Sequence, residues 1–167
     1  MNKKFELLLD DTIEVFDRKL FRIKAKINFG AVEAGELGGY IEKEENLSVS
    51  GKAWVYGDAR VSGNARVSGN ARVSGNAEVY GNARVSGNAW VSGDAEVYGN
   101  ARVSGDAMVS GNARFSGNAR FSGTGQELIE VACKNKEKLE QISLSLEKFQ
   151  RTGDAEHLAD IERILNE

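Results

Sequence analysis

The sequence predicts an all-β solenoid, and two observations carry that prediction. From Val49 to Phe121 a bulky apolar residue recurs every six positions, thirteen times, without one insertion. Around those residues a nearly constant unit returns, Val-Ser-Gly-Asn-Ala-Arg, as in Val61, Ser62, Gly63, Asn64, Ala65 and Arg66. A six-residue period is neither the 3.6 of a helix nor the alternation of a simple strand. Fixed self-similarity of this kind marks stacked repeats.

The order within each unit shows how it folds. Ala65 points inward, Arg66 outward, Val67 inward and Ser68 outward, the two-residue period of a short strand. Gly69 and Asn70 then interrupt it, and these residue types tolerate the positive φ that a sharp corner needs. Three sides of six residues close one triangular coil of eighteen, and coils stack at about 4.8 Å, the ordinary strand spacing. The thirteen units therefore build a little over four coils, a prism roughly 20 Å tall.

These residues also resemble the hexapeptide rule of left-handed β-helices: an aliphatic residue, a small or acidic one, two variable positions, a small residue and a last variable one. Val61, Ser62 and Ala65 stand where that rule wants them, and the match covers residues 49–123. The resemblance implies a left-handed parallel β-helix; the hand is taken from it alone.

The two ends differ from the middle. Residues 1–48 read as an N-terminal β cap, since a solenoid end exposes unpaired backbone and an apolar cross-section. Lys4–Leu9 reads as a short strand, with Thr12–Phe16 and Lys19–Ala25 as a hairpin turned at Asp17 and Arg18. Leu37-Gly38-Gly39-Tyr40-Ile41 then leads through polar residues 42–46 into the first coil. The cap and the repeats after it are similar to the N-termini of phage and prophage hexapeptide-repeat proteins, a mostly uncharacterised family. The resemblance rests on Phe5-Glu6-Leu7, Ile13-Glu14-Val15, Leu20 to Ala25, Gly38 to Glu42 and Asn46-Leu47-Ser48.

In residues 124–167 the period changes. Leu139, Ile142, Leu146 and Phe149 fall at spacings of three, four and three, a helical stripe. Thr152-Gly153-Asp154 breaks it, Asp154 suits an N-cap, and Leu158, Ile161 and Leu165 line a second short helix. The segment is expected either to fold back as a helical hairpin or to serve as an oligomer or partner helix.

Composition sets outer bounds. No run of about 18 apolar residues and no signal-peptide pattern is visible, so the expected setting is the cytosol, without membrane contact. The lone cysteine, Cys133, has no internal partner, in keeping with a reducing compartment. Charge is uneven. Residues 1–48 hold eight basic against ten acidic residues, 49–123 eight against five, and 124–167 six against ten. A basic middle between acidic ends hints at an anionic partner.

Residues eighteen apart stack, so outward positions form columns. One column holds Trp54, Arg72, Trp90 and Met108 with Tyr56 beside it, apolar enough to be an interface. Arg72 between two indoles is placed to stack as a cation–π bridge. A second column, Arg60, Glu78, Glu96 and Arg114, neutralises itself and is flanked by Tyr80 and Tyr98. A third stacks Arg66, Arg84, Arg102 and Arg120 beside Ser68, Ser86, Ser104 and Ser122. Like charges at strand spacing repel unless anions or solvent screen them. A guanidinium fork with serine donors suits phosphate, so Arg66, Arg84, Arg102, Arg120, Ser86 and Ser104 form the candidate anion site. Asn64, Asn82, Asn100 and Asn118 stack at a corner as an amide ladder.

Catalysis is not expected. Enzymes on the fold that is resembled use a catalytic histidine with an inserted loop, or three histidines on a metal. Here the one histidine, His157, lies outside the repeat, which has no insertion. No Cys/His cluster, paired-carboxylate pocket or phosphate loop occurs, and no cofactor or metal is implied. The expected function is non-enzymatic binding by a phage-type accessory protein. It would inhibit a host defence component by binding a host protein or a nucleotide or nucleic-acid ligand, as a homodimer or homotrimer. The alternatives are a self-assembling scaffold or virion component, and a nucleic-acid-binding protein using the arginine column.

Overall fold

A single registry of eighteen residues runs through the repeat. In a computed structural model that describes residues 2–123, Arg66 pairs with Arg84, Trp90 with Met108 and Glu78 with Glu96, all in parallel. Each side of a coil is a strand of two or three residues, and three stacks of them form three flat faces. The architecture is an all-β solenoid with parallel faces. Counting Tyr40 and Ile41 as the first rung of one face and Leu47 as the first of another, the faces have five, four and five rungs, fourteen sides in all or about five coils, one side more than the thirteen units alone would make.

The core is a column of small and β-branched residues. Ala59, Val61, Ala65, Val67 and their equivalents down to Ala107 are fully buried, because alternation sends every second side chain inward. Backbone donors of one coil reach acceptors of the next, for example Arg66 N to Ala83 O at 3.0 Å and Ser68 N to Val85 O at 2.9 Å. At the corners, Gly57 to Gly117 all have φ between 61° and 71°, the left-handed region open to glycine. Stacking tightens the requirement. A Cβ on Gly87 would lie 2.7 Å from Gly105 N, whereas one on Gly111 would meet nothing within 4 Å.

The cap differs from its sequence-based expectation in three ways. First, the short strand and half-hairpin merge into one strand, β1 (Phe5–Val15), with an irregularity between Leu8 and Thr12. It pairs antiparallel with β2 (Arg18–Ala25). The turn is Phe16-Asp17 rather than Asp17-Arg18, with φ of 49° and 59°, the two-residue geometry whose twist matches a hairpin. Second, β3 (Leu37–Ile41) pairs antiparallel with β2 and parallel with the strand at Arg60–Val61. Residues 37–48 thus close the cap and build two sides of the first coil.

Third, the inward series does not begin at Val49, which is 59% exposed. The first coil is two residues longer: Ile41 pairs with Val61 and Leu47 with Val67, both twenty apart. Residues 49–51 bulge outward to absorb the difference, and Leu47 fills the inward place. The C-terminal helical segment expected over 124–167, with Leu139, Ile142, Leu146 and Phe149, lies outside the described residues.

Lys4 fastens cap to coil. Almost fully buried, it donates from Nζ to Ser48 O at 3.0 Å and Ala53 O at 2.8 Å, 4.5 Å from the Phe29 ring centre. Burial pushes its pKa down to about 8, since a charged ammonium loses hydration there. A neutral amine still carries two N–H donors, enough for both carbonyls.

Two outcomes are expected. Gly87→Ala should destabilise by about 2 kcal/mol or more and Gly111→Ala by about 1 kcal/mol, because both bear the left-handed cost but only the first meets backbone; paired thermal melts check the difference. Between pH 8 and about 10, unfolded chains carry a proton on Lys4 that folded chains have lost. Unfolding free energy therefore rises with pH in that window, until Tyr56 and Tyr80, whose pKa values burial raises, oppose it at higher pH. Denaturant midpoints in this pH range should show the slope, and Lys4→Met should flatten it.

Candidate functional site

Within the repeat the inward residues fill the core, so the outward columns are the side chains free to meet a ligand or partner. The structure separates the three faces sharply. The mixed face is internally paired: Arg60 Nη1 lies 2.8 Å from Glu78, and Arg114 Nη2 lies 3.1 Å from Glu96. These partly buried pairs leave no net charge on the face to attract a ligand.

The tryptophan face is smaller than its column suggests. Trp54 is fully buried, not exposed, because it stands on the first rung with no coil above it. Phe5 and Phe29 close over it edge-on, with ring centres at 6.3 and 5.4 Å. Gly38 makes room: a Cβ there would lie 2.8 Å from Trp54 Cζ2. Trp54 is thus the seat of the cap and leaves the interface set. Tyr56 is half-buried, while Arg72, Trp90 and Met108 remain exposed. Trp90 donates from Nε1 to Ser74 Oγ at 3.0 Å. The expected cation–π bridge through Arg72 is not formed; such contacts among the described residues come from Lys4, Lys19 and Arg22.

The arginine face is the charged one. Arg66, Arg84, Arg102 and Arg120 stack in register and are all exposed. Among the described residues none of the four has a carboxylate within 4 Å. Arg66, Arg84, Ser68 and Ser86 line a groove of about 360 Å³. Arg102, Arg120, Ser104 and Ser122 continue the face, with Ser104 in register with Ser122. Glu45 and Ser48 bound the groove at its upper edge. The repeat pattern does not foreshadow those two, because the short 3-10 turn Glu44–Asn46 brings them there. Guanidinium forks beside hydroxyl donors can hold phosphate or another oxyanion.

Corners frame the faces with side-chain amides. Asn64 donates to Asn82 at 3.3 Å, Asn82 to Asn100 at 3.2 Å, and Asn100 to Asn118 at 3.2 Å. Two further ladders end on a carboxylate: Asn76 donates to Asp94 and Asn88 to Asp106. The Asn64 ladder runs along the corner between the mixed and arginine faces, and the other two ladders run along the remaining corners.

Five stretches match the family model described as YdcK Beta solenoid repeat: residues 53–67, 65–79, 77–93, 95–111 and 101–117. Their starts are spaced by multiples of six residues, the length of one side of a coil. This chain is a β-solenoid repeat protein. The similarity spans the repeat and not the cap, and it describes a fold, not a chemistry. No curated protein matches the sequence. Among the described residues, no helix is long and apolar enough to cross a membrane and no group of three or more His, Cys, Asp and Glu side chains could hold a metal.

Because Arg84 lies between Arg66 and Arg102, reversing its charge should replace two repulsions with two attractions. Arg84→Glu is expected to raise stability by about 0.2–1 kcal/mol, read as a higher urea midpoint at low salt. An unchanged or lower midpoint would mean that the ladder is not repulsive.

Proposed function

We propose that the chain is a non-enzymatic binding protein whose arginine–serine face takes a phosphate-bearing ligand. One observation carries this reading: four arginines at strand spacing have no carboxylate partner among the described residues. A folded surface gains nothing in stability from stacking like charges. The neighbouring face has the same register, yet each of its arginines is matched with a glutamate. The contrast supports a site in which a ligand supplies the missing negative charge.

The cap-and-repeat resemblance suggests a setting for that activity, a phage-type accessory protein in the host cytosol. Sequestering a nucleotide signal, or blocking a host defence component that depends on one, needs only a rigid anion-binding face and no catalytic group. Self-association is the second reading, and Trp90 and Met108, 42% and 44% exposed on adjacent rungs, favour it. Such a patch is small, and it would be covered in a dimer or trimer.

Binding to a short single-stranded RNA should weaken as salt rises, with a log–log slope of about −3 for four contacts. Arg84→Glu with Arg102→Glu should remove most of that affinity. Wild-type affinity that ignores salt would sink the anion reading. For self-association, light scattering should show a fixed small oligomer that Trp90→Ser with Met108→Ser reduces to a monomer.

A further inference from the structure

Two places after the paired charges of the mixed face runs another column: Ser62, Tyr80, Tyr98 and Ser116. Tyr80 and Tyr98 stack face to face, with ring centres 5.0 Å apart and planes within 2°. That separation is one coil, so Tyr98 covers one face of Tyr80. Where the next ring of the stack would stand, one coil nearer the cap, the chain has Ser62. Its short side chain leaves a cleft of about 430 Å³, walled by Ser62, Tyr80 and Glu78 below and by Val15, Phe16 and Leu20 of the hairpin above. Ligand sites commonly enclose about 300–1,000 Å³.

A second observation points to the same place. Phe16 sits at the hairpin tip with a φ of 49° and is 82% exposed. A bulky residue in the left-handed region is strained, and an exposed one gains no burial in return. Asparagine or glycine would make the turn at lower cost. The side chain that the turn carries instead borders the cleft.

We infer that this cleft is a stacking slot for a planar ring, and that its occupant is the base of a nucleotide whose phosphate lies on the arginine face. The inference rests on the reading of that face as a phosphate site. The geometry supports a base over a plain aromatic side chain. Glu78 uses one oxygen to accept from Arg60, and its other oxygen has no hydrogen-bond partner among the described residues. An ionised carboxylate only accepts, so it suits a ring with N–H groups on its edge, as adenine, guanine and cytosine have. Tyr80 donates its hydroxyl to Glu96 at 3.3 Å, which orients the platform. One corner separates Tyr80 from Arg84. Four residues reach at most about 14 Å, so base and phosphate subsites border the same Asn82 corner.

Calorimetry on the full chain tests this with four probes: adenosine, adenosine monophosphate, inorganic phosphate and inorganic tripolyphosphate. The monophosphate should bind at least 10-fold tighter than phosphate, the scale of a base–aromatic stack. Ser62→Tyr fills the slot by continuing the tyrosine stack and should abolish that advantage while leaving tripolyphosphate affinity and melting temperature unchanged. Tyr80→Ser removes the platform and should have the same effect on the monophosphate. Equal affinity for the monophosphate and phosphate, or a Ser62→Tyr protein that binds the monophosphate like wild type, overturns the slot.

The two readings fail separately. Tripolyphosphate binding with no gain from a base leaves the arginine face and removes the slot. Adenosine binding that Ser62→Tyr abolishes, without tripolyphosphate binding, leaves the slot and removes the arginine face. A cyclic dinucleotide saturating at one per chain would identify a free nucleotide as the source. A short adenylate strand binding tighter than the monomer, with a salt slope, would identify single-stranded nucleic acid.

Discussion

Corner geometry governs this molecule. Each coil must turn three times within eighteen residues while staying one strand spacing from its neighbours. Glycine meets both demands at once: it accepts the left-handed backbone, and it leaves room for the corner of the coil stacked beside it, as Gly87 does for Gly105. Asparagine follows it because an amide can donate to the next coil and accept from the previous one. With corners fixed, alternation alone decides that alanine and valine go inward. The only positions left to vary are the outward ones, and the three faces differ there: one neutral, one partly apolar and one basic.

The middle of the fold was legible because its information is periodic. A constant spacing of six identifies every rung, and from it the three columns follow with their correct neighbours, including the Arg60–Glu78 and Glu96–Arg114 pairs. The amide ladder at Asn64 was legible for the same reason. The cap was not, because its contacts are unique. Nothing in the local pattern around Trp54 distinguishes it from Trp90, which occupies the equivalent place in a later coil. Only the distant Phe5 and Phe29 bury the first and leave the second exposed.

Val49 shows a subtler failure. It continues the six-residue count without a break, yet the chain bulges there because the first coil must also meet the cap. A period can extend by coincidence past the point where the structure obeys it. The candidate sites divide in the same way. The arginine column was visible as stacked like charges, whereas the cleft above Tyr80 needs the hairpin tip, more than forty residues away in sequence, to exist.

The two extra residues of the first coil have a consequence for how such a chain can change. They take up the mismatch between cap and repeat in one place, so every later coil is geometrically interchangeable. Duplication or loss of an eighteen-residue segment within the body leaves the cap, the Tyr80 cleft and the corner ladders in register. It alters height, the coil-specific residues of the mixed and tryptophan faces, and the number of arginines on the basic face, one per coil. The length of the arginine column is therefore adjustable by whole-coil duplication, while the cap end of the molecule stays constant.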